Sequence, residues 1–216
     1  MKEQILETLR DVDAGPLVME DPERAAERTL FYIRELMRWN RRINLTAEKD
    51  ERSILERHVA DSLQFAKAMT GPGETVDIGS GAGFPGIPLK IVFPGLPMTL
   101  LESRRKRANF LKSVLRNLGL KGIEVIQARA EELADDAACR SRFQYALLRA
   151  VAKLGPSLAL GAPLIRDGGR LIVKKGRAEK IDAGDICGNL ALSRLGEIAL
   201  TNRAHSRLVI FQKCST

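Results

Sequence analysis

The stretch Thr75-Val76-Asp77-Ile78-Gly79-Ser80-Gly81-Ala82-Gly83-Phe84-Pro85-Gly86 constrains this chain more than any other. It is a short apolar strand carrying an acid, then a glycine-dense turn, then a helix predicted to open at Pro85. Glycine lets a backbone turn sharply and lets a ligand come close, because no Cβ intervenes. Proline suits the first turn of a helix, where its missing N–H costs nothing. An open α/β sheet builds a nucleotide-sized site in this way, at the carboxyl end of its first strand.

Gly81-x-Gly83-x-x-Gly86 fits the dinucleotide fingerprint, with Glu102 following at a suitable distance. Asp77 argues against a dinucleotide. A carboxylate just before the turn would repel a pyrophosphate but attract the ammonium and sulfonium of S-adenosylmethionine. Asp77 also has an ordinary alternative, as a helix cap or turn former. The methyl donor is the favoured ligand, and a nicotinamide-dependent oxidoreductase is the first rival.

The chain of 216 residues can bury one α/β core and carry a short extension. No apolar run is long enough for a membrane span, and the amino terminus is too charged for a signal peptide. Cys139, Cys187 and Cys214 are scattered and odd in number, and His58 and His205 are the only histidines. These counts predict neither a disulfide framework nor a metal site, and they fit a reducing cytoplasm. The net charge of +8 is unevenly placed: residues 1–139 sum to −1 and residues 140–216 to +9. The excess suggests a polyanion, most simply nucleic acid, and locates candidate phosphate contacts such as Lys174 and Arg207. A soluble basic face without a partner is the alternative.

Residues 1–70 form a predicted helical extension. Asp21-Pro22 opens one helix with Leu30, Ile33 and Met37 in phase. Ser53-Ile54-Leu55-Glu56 is a capping-box pattern for another, with Leu55, Val59, Leu63 and Ala66 on one face. Gly71-Pro72-Gly73 marks a boundary, so residues 71–216 form the second unit. There, strand and helix patterns alternate. Predicted strands are Glu74–Ile78, Met98–Glu102, Ile123–Gln127, Phe143–Leu148 and Arg170–Lys174, followed by Arg194–Ala199 and Arg207–Lys213 with no clear helix between them. The expectation is a doubly wound, mostly parallel sheet closed by antiparallel pairing.

Three strand ends carry polar candidates. Glu102 can accept ribose hydroxyls beside the glycine turn, or simply cap the helix near Ser103. Ala130-Glu131 follows the third strand, where a backbone N–H and an acid suit an adenine edge; an acidic helix start is the other reading. Arg149 ends the fourth strand, where a guanidinium can hold a carboxylate or phosphate bidentately, or can snorkel to solvent. The run Arg104-Arg105-Lys106-Arg107 is either a solvated helix face or an RNA contact. Trp39 and Phe110 belong in the core.

These residues converge on a family. The chain resembles the small-subunit ribosomal RNA guanine-N7 methyltransferases (GidB) from about Leu30 onward. The resemblance rests on Trp39-Asn40 with Asn44-Leu45-Thr46, on Arg57-His58 with Asp61-Ser62-Leu63, and on Val76–Pro88. It continues through Leu101-Glu102-Ser103, Arg107-x-x-Phe110-Leu111, Arg129-Ala130-Glu131, Arg149-Ala150-Val151 and Arg207-Leu208-Val209-Ile210. Val151 stands where the family pattern has an aromatic residue. The resemblance implies a class I methyltransferase sheet in which Gly79, Phe84, Ala130, Glu131 and Arg149 contact S-adenosylmethionine, with Glu102 near the ribose. Small-subunit ribosomal RNA is the implied substrate; Asn44 and His58 are candidate RNA contacts, or they close the entrance or fix the amino-terminal helices on the sheet as structural hydrogen-bonders. A monomer without metal is expected. Guanine N7 offers a lone pair without a proton, so no general base is expected either. A non-enzymatic RNA-binding protein with a vestigial pocket is the second rival.

Overall fold

A computed structural model describes residues 1–149, 153–176, 188–200 and 206–215. Ala150, Val151, Cys187 and His205 lie outside the described residues. The chain opens with α1 (Lys2–Arg10), whose Ile5 and Leu9 are buried, and α2 (Pro22–Asn40). Asp21 caps α2 by accepting the Arg24 N–H at 3.0 Å, and Pro22 takes the first turn. The face that α2 buries is Ala25, Ala26, Thr29, Tyr32, Ile33 and Leu36; Leu30 and Met37 only flank it.

Helical structure resumes at α3 (Glu51–Ile54), passes through a π-helical turn (Leu55–Val59), and ends in α4 (Ala60–Leu63) and a 3₁₀ turn (Gln64–Ala68). The cap of α3 is Asp50, not Ser53 as the capping-box pattern predicts. The Asp50 carboxylate accepts both the N–H and the hydroxyl of Ser53 at 2.8 Å, which makes Ser53 the third helical residue. Leu55, Val59, Leu63 and Ala66 are buried as expected. Asp61 and Ser62 are buried as well, because this helix is covered on more than one side.

Seven strands form one sheet in the order β3-β2-β1-β4-β5-β7-β6. The ranges are β1 (Thr75–Ile78), β2 (Met98–Leu101), β3 (Ile123–Ile126), β4 (Phe143–Arg149), β5 (Ile165–Gly176), β6 (Leu192–Ala199) and β7 (Ser206–Lys213). The first five are parallel, and β7 runs antiparallel to both β5 and β6. The expected doubly wound architecture with antiparallel closure is therefore present. β5 begins five residues before the predicted start. Asp167-Gly168-Gly169 has the composition of a turn but forms an irregular segment within the strand. Gly168 adopts φ 72°, and a Cβ on Gly169 would stand 2.7 Å from the Arg166 carbonyl oxygen.

The pleat divides the core. Leu147 on β4, Ile172 on β5 and Leu208 on β7 face α1, α2 and the helices α5 (Gly86–Val92) and α6 (Arg105–Leu118). Their neighbours Ala146, Leu148, Leu171 and Val173 face α7 (Ala130–Asp135) and α8 (Leu154–Gly161). The amino-terminal helices thus share an apolar layer with the sheet. Parallel register sets Ile78 opposite both Leu101 and Leu148, so β1, β2 and β4 end side by side. That edge receives the glycine turn, Glu102 and Arg149. Among the described residues no helix is long and apolar enough to cross a membrane.

Candidate active site

The glycine turn is held from beneath. Gly79, Gly81 and Gly83 have φ of 70°, 58° and 97°, a region that side chains resist. The Gly79 and Ser80 N–H groups donate to the Leu101 carbonyl at 2.8 and 3.0 Å, which locks the turn to β2. The three glycines needed most differ in why they are needed. A Cβ on Gly83 would meet Ile87 at 2.5 Å, and one on Gly86 would meet Leu100 at 2.4 Å and Asp77 at 2.9 Å. Around Gly81 the nearest atoms are 3.7 Å away, so its side toward the crevice is open.

Asp77 lies beneath this turn and not on its open face. It is 1% exposed, and its Oδ2 accepts the Gly86 N–H at 3.0 Å while Oδ1 has no partner. This is the helix-capping alternative in geometry. It also corrects the position of Pro85: α5 begins at Gly86, and Pro85 is the residue before it. Proline has no side-chain acceptor, so the buried carboxylate of Asp77 supplies the cap. Burial pushes the Asp77 carboxyl up to about 7, although the Gly86 amide and Ser80 pull the other way.

Glu102 is 4% exposed and doubly held. Its Oε2 accepts the Gly81 N–H at 2.9 Å and its Oε1 the Arg104 N–H at 2.8 Å. The carboxylate is thereby fixed at the end of β2, against the open face of the turn. At the end of β3, Ala130 is buried and Glu131 exposed at the first turn of α7, where the Arg129 N–H donates to Glu132 Oε2 at 3.1 Å.

The β4–β5 end of the edge is built from side chains distant in sequence. Arg149 Nη2 donates to the Arg57 carbonyl at 3.0 Å, lies 2.7 Å from His58 Nδ1 and stands 3.6 Å from Asp61 Oδ2. Lys174 forms an ion pair with the same Asp61 oxygen. Since a guanidinium only donates, His58 Nδ1 must accept, and its Nε2–H donates to Thr46 Oγ1 at 2.9 Å. Burial, reinforced by Arg149 and Lys174, depresses the His58 imidazolium to about 4, so the ring is neutral at neutral pH. Burial also lowers Arg149 and Lys174 from their ordinary values, against the pull of Asp61. Phe84 closes the cluster. It stacks on His58 at 4.8 Å, meets Tyr32 edge-on at 5.5 Å and lies under the Arg149 guanidinium at 5.4 Å.

The structure thus brings Gly79, Gly81, Phe84, Glu102, His58, Arg149 and Lys174 to one edge. Arg207 is committed elsewhere, to Glu197 on β6 at 2.9 Å. Asn44 is exposed, and its carbonyl accepts from Arg107 at 3.2 Å. Asn40 shapes that loop by accepting the N–H groups of Leu45 and Thr46. Of two further contributors, one has no mark in the sequence and the other lies in the Asp61-Ser62-Leu63 motif, which gives no sign of its partner. Tyr32, in the apolar face of α2, donates to the Ala82 carbonyl in the turn at 2.6 Å. Asp61 joins Lys174 across 113 residues, a pairing without local periodicity. Among the described residues no group of three or more His, Cys, Asp and Glu could hold a metal.

Residues 26–197 match the family of rRNA small subunit methyltransferase G. The ribosomal RNA small subunit methyltransferase G of Roseiflexus castenholzii is 43% identical over 81% of this chain and 74% of its own length. Its namesake from Caldanaerobacter subterraneus is 46% identical over 66% of this chain and 60% of its own. A solved SAM dependent methyltransferase from Aquifex aeolicus superposes with a TM-score of 0.56 at 14% identity, covering 74% of this chain and 92% of that one. That last likeness concerns the fold.

Proposed function

This chain belongs to the rRNA small subunit methyltransferase G family, and on that premise we propose that it transfers a methyl group from S-adenosylmethionine to N7 of a guanine in small-subunit ribosomal RNA. The observation that carries this reading is the glycine turn with Glu102 locked against it: an open glycine face, flanked by a buried carboxylate whose two oxygens are oriented by the Gly81 and Arg104 amides. A ribose diol needs such an acceptor, and Glu102 stands where a nucleoside laid on the glycine turn would place one. The residues therefore fit the donor. Gly79, Gly81, Glu102 and the Ala130–Glu131 corner would hold its nucleoside, and Phe84 and Arg149 its other end. In this proposal residues 71–216 carry the transfer, and the helices of residues 1–70 close one face of the sheet.

The bound donor supplies an electrophilic methyl group on a sulfonium. The protein's own part is placement and shielding. Asp77 fixes the turn through Gly86, and Tyr32 fixes it from α2. Phe84 and His58 wall the site with stacked rings that keep water from the polar groups behind them. Among the described residues of this edge, His58 is not poised to take a proton. Both nitrogens of His58 are engaged, and its imidazole is too weak a base at neutral pH. Guanine N7 matches that environment, because it attacks through a free lone pair and releases no proton. Alignment and proximity then supply much of the barrier reduction.

The test is to incubate the protein with labelled donor and unmodified small-subunit rRNA or subunits and to map the product. A methyl on guanine N7 is expected. A methyl on an exocyclic amine or a ribose hydroxyl overturns the assignment, since those groups must lose a proton.

A further inference from the structure

We propose that the RNA is gripped on the α6 side of the edge, by the exposed cations Arg104, Arg105 and Lys106 with Arg41 and Arg42, rather than by Lys174 and Arg207. The inference rests on the methyltransferase reading for the identity of the polyanion, and on three observations for its place.

The first is charge without partners. Arg104, Arg105, Lys106, Arg41 and Arg42 are exposed, and none of them pairs with an acid of the described residues. Lys174 and Arg207, by contrast, are spent on Asp61 and Glu197. The second is an arrangement that opposes local stability. α6 starts at Arg105 with no acid in its first turn and with Arg104 as its cap residue. A helix amino terminus favours acids and repels cations, and adjacent cations repel each other besides. Glu102, whose carboxylate accepts the Arg104 N–H, offsets this choice only in part, and such violations concentrate at functional sites. The third is position. Arg104 donates its backbone N–H to Glu102, and Arg107 stands within 3.7 Å of the place a Gly81 Cβ would take. Arg107 also donates to the Asn44 carbonyl, and Trp39 packs edge-on to Phe110 at 5.7 Å. These contacts carry Arg41 and Arg42, just past α2, to the same rim. An RNA strand laid along these cations passes directly over the proposed donor site.

The proposal makes an unusual demand, which is that weakening RNA binding should strengthen the fold. The test compares two pairs of neutral variants that remove equal charge. Arg105→Gln with Lys106→Gln changes the rim. Lys112→Gln with Arg116→Gln changes the same helix roughly 10 Å or more further along. Binding of unmodified small-subunit rRNA is measured across a salt series, alongside thermal melting and donor calorimetry. The rim pair should lose about tenfold in RNA affinity and flatten the salt slope by about two. It should also raise the melting temperature and leave donor affinity unchanged. The distal pair should leave the slope within error of the unmodified protein. Equal losses from the two pairs, or a rim pair that melts higher but binds RNA as before, overturn the proposal. If the unmodified protein binds this RNA in a salt-dependent way but transfers no methyl to it, the functional reading fails and the surface stands.

Discussion

Arg149 and Lys174, at the ends of β4 and β5, are buried and share one carboxylate, that of Asp61. Arg105 and Lys106, on the same edge of the sheet beside β2, stand in solvent and form no ion pair with an acid of the described residues. The two pairs carry the same formal charge and do different work. A buried cation that already has its counterion is a spacer of fixed geometry, useful for holding a ligand in one orientation. An exposed, unpaired cation keeps its full capacity to displace counterions from a phosphate backbone. Counting charge along the chain ranks the last third first. Counting free charge among the described residues ranks α6 first.

The largest expected effect strikes the buried pair. Asp61→Ala would strand two cations behind Phe84 and should cost about 3–5 kcal/mol of stability, the scale for breaking a buried ion pair by removing one partner. Urea denaturation reads it directly. A loss below 1 kcal/mol would show that water reaches these groups and would erase the contrast with α6.

The glycine turn offers a finer version of the same contrast, between what the fold needs and what the ligand needs. Gly86→Ala drives a Cβ into Leu100 and Asp77, so it should destabilise by about 1–3 kcal/mol, the range for overpacking. Gly81→Val meets nothing so close. Its cost to the fold is the left-handed backbone, about 1–2 kcal/mol, while its side chain fills the open face and should abolish donor binding. Melting and calorimetry on both variants sort the two roles, and equal donor loss per unit of stability would merge them. Glu102→Gln should cost about 1–3 kcal/mol of donor affinity, the scale for a charged hydrogen bond. A donor analogue without ribose hydroxyls should be insensitive to that change.

Much of this edge was legible in the sequence because it is local. The strand, the glycine turn and the start of the helix that follows occupy the twelve residues Thr75 to Gly86, and Glu102 falls at the next strand end by topology alone. The fold class followed from alternation. Features made by distant residues were not legible. Asp61 meets Lys174 only because a π-helical turn and β5 converge. Tyr32 reaches the turn from the middle of an apolar stripe, where a tyrosine is indistinguishable from core. The role of Asp77 was legible as a choice between two, ligand attraction or capping, and only the burial of its carboxylate showed it under the turn. The Asp50 cap was hidden by a second, equally regular pattern at Ser53, three residues later.

The smallest effect is one in which the two regions oppose each other. Asp77, under the turn, has its carboxyl raised to about 7 when folded, against an unfolded value near 3.9. Between those limits the folded state holds a proton that the unfolded state has released. Its contribution is therefore fully present below about 4 and is lost as pH rises through 7. His58, in the β4–β5 cluster, is lowered from 6.5 to about 4. Its contribution is present above 6.5 and is lost as pH falls through 4. From pH 4 to 6.5 the two slopes have opposite signs, each at most about 1.4 kcal/mol per pH unit, and their sum in the unmodified protein is close to zero. Asp77→Asn should leave the His58 slope exposed, so that stability rises with pH across this window. His58→Ala should leave the Asp77 slope, so that stability falls with pH. Denaturant midpoints at half-unit intervals of pH would show the two variants diverging on either side of the parent. Parallel profiles would mean that neither group titrates as its burial requires. Activity provides the complementary check: above pH 6.5 His58 is neutral in both folded and unfolded chains, so His58→Ala should leave the shape of the single-turnover profile unchanged there while reducing its height through the lost support of Arg149.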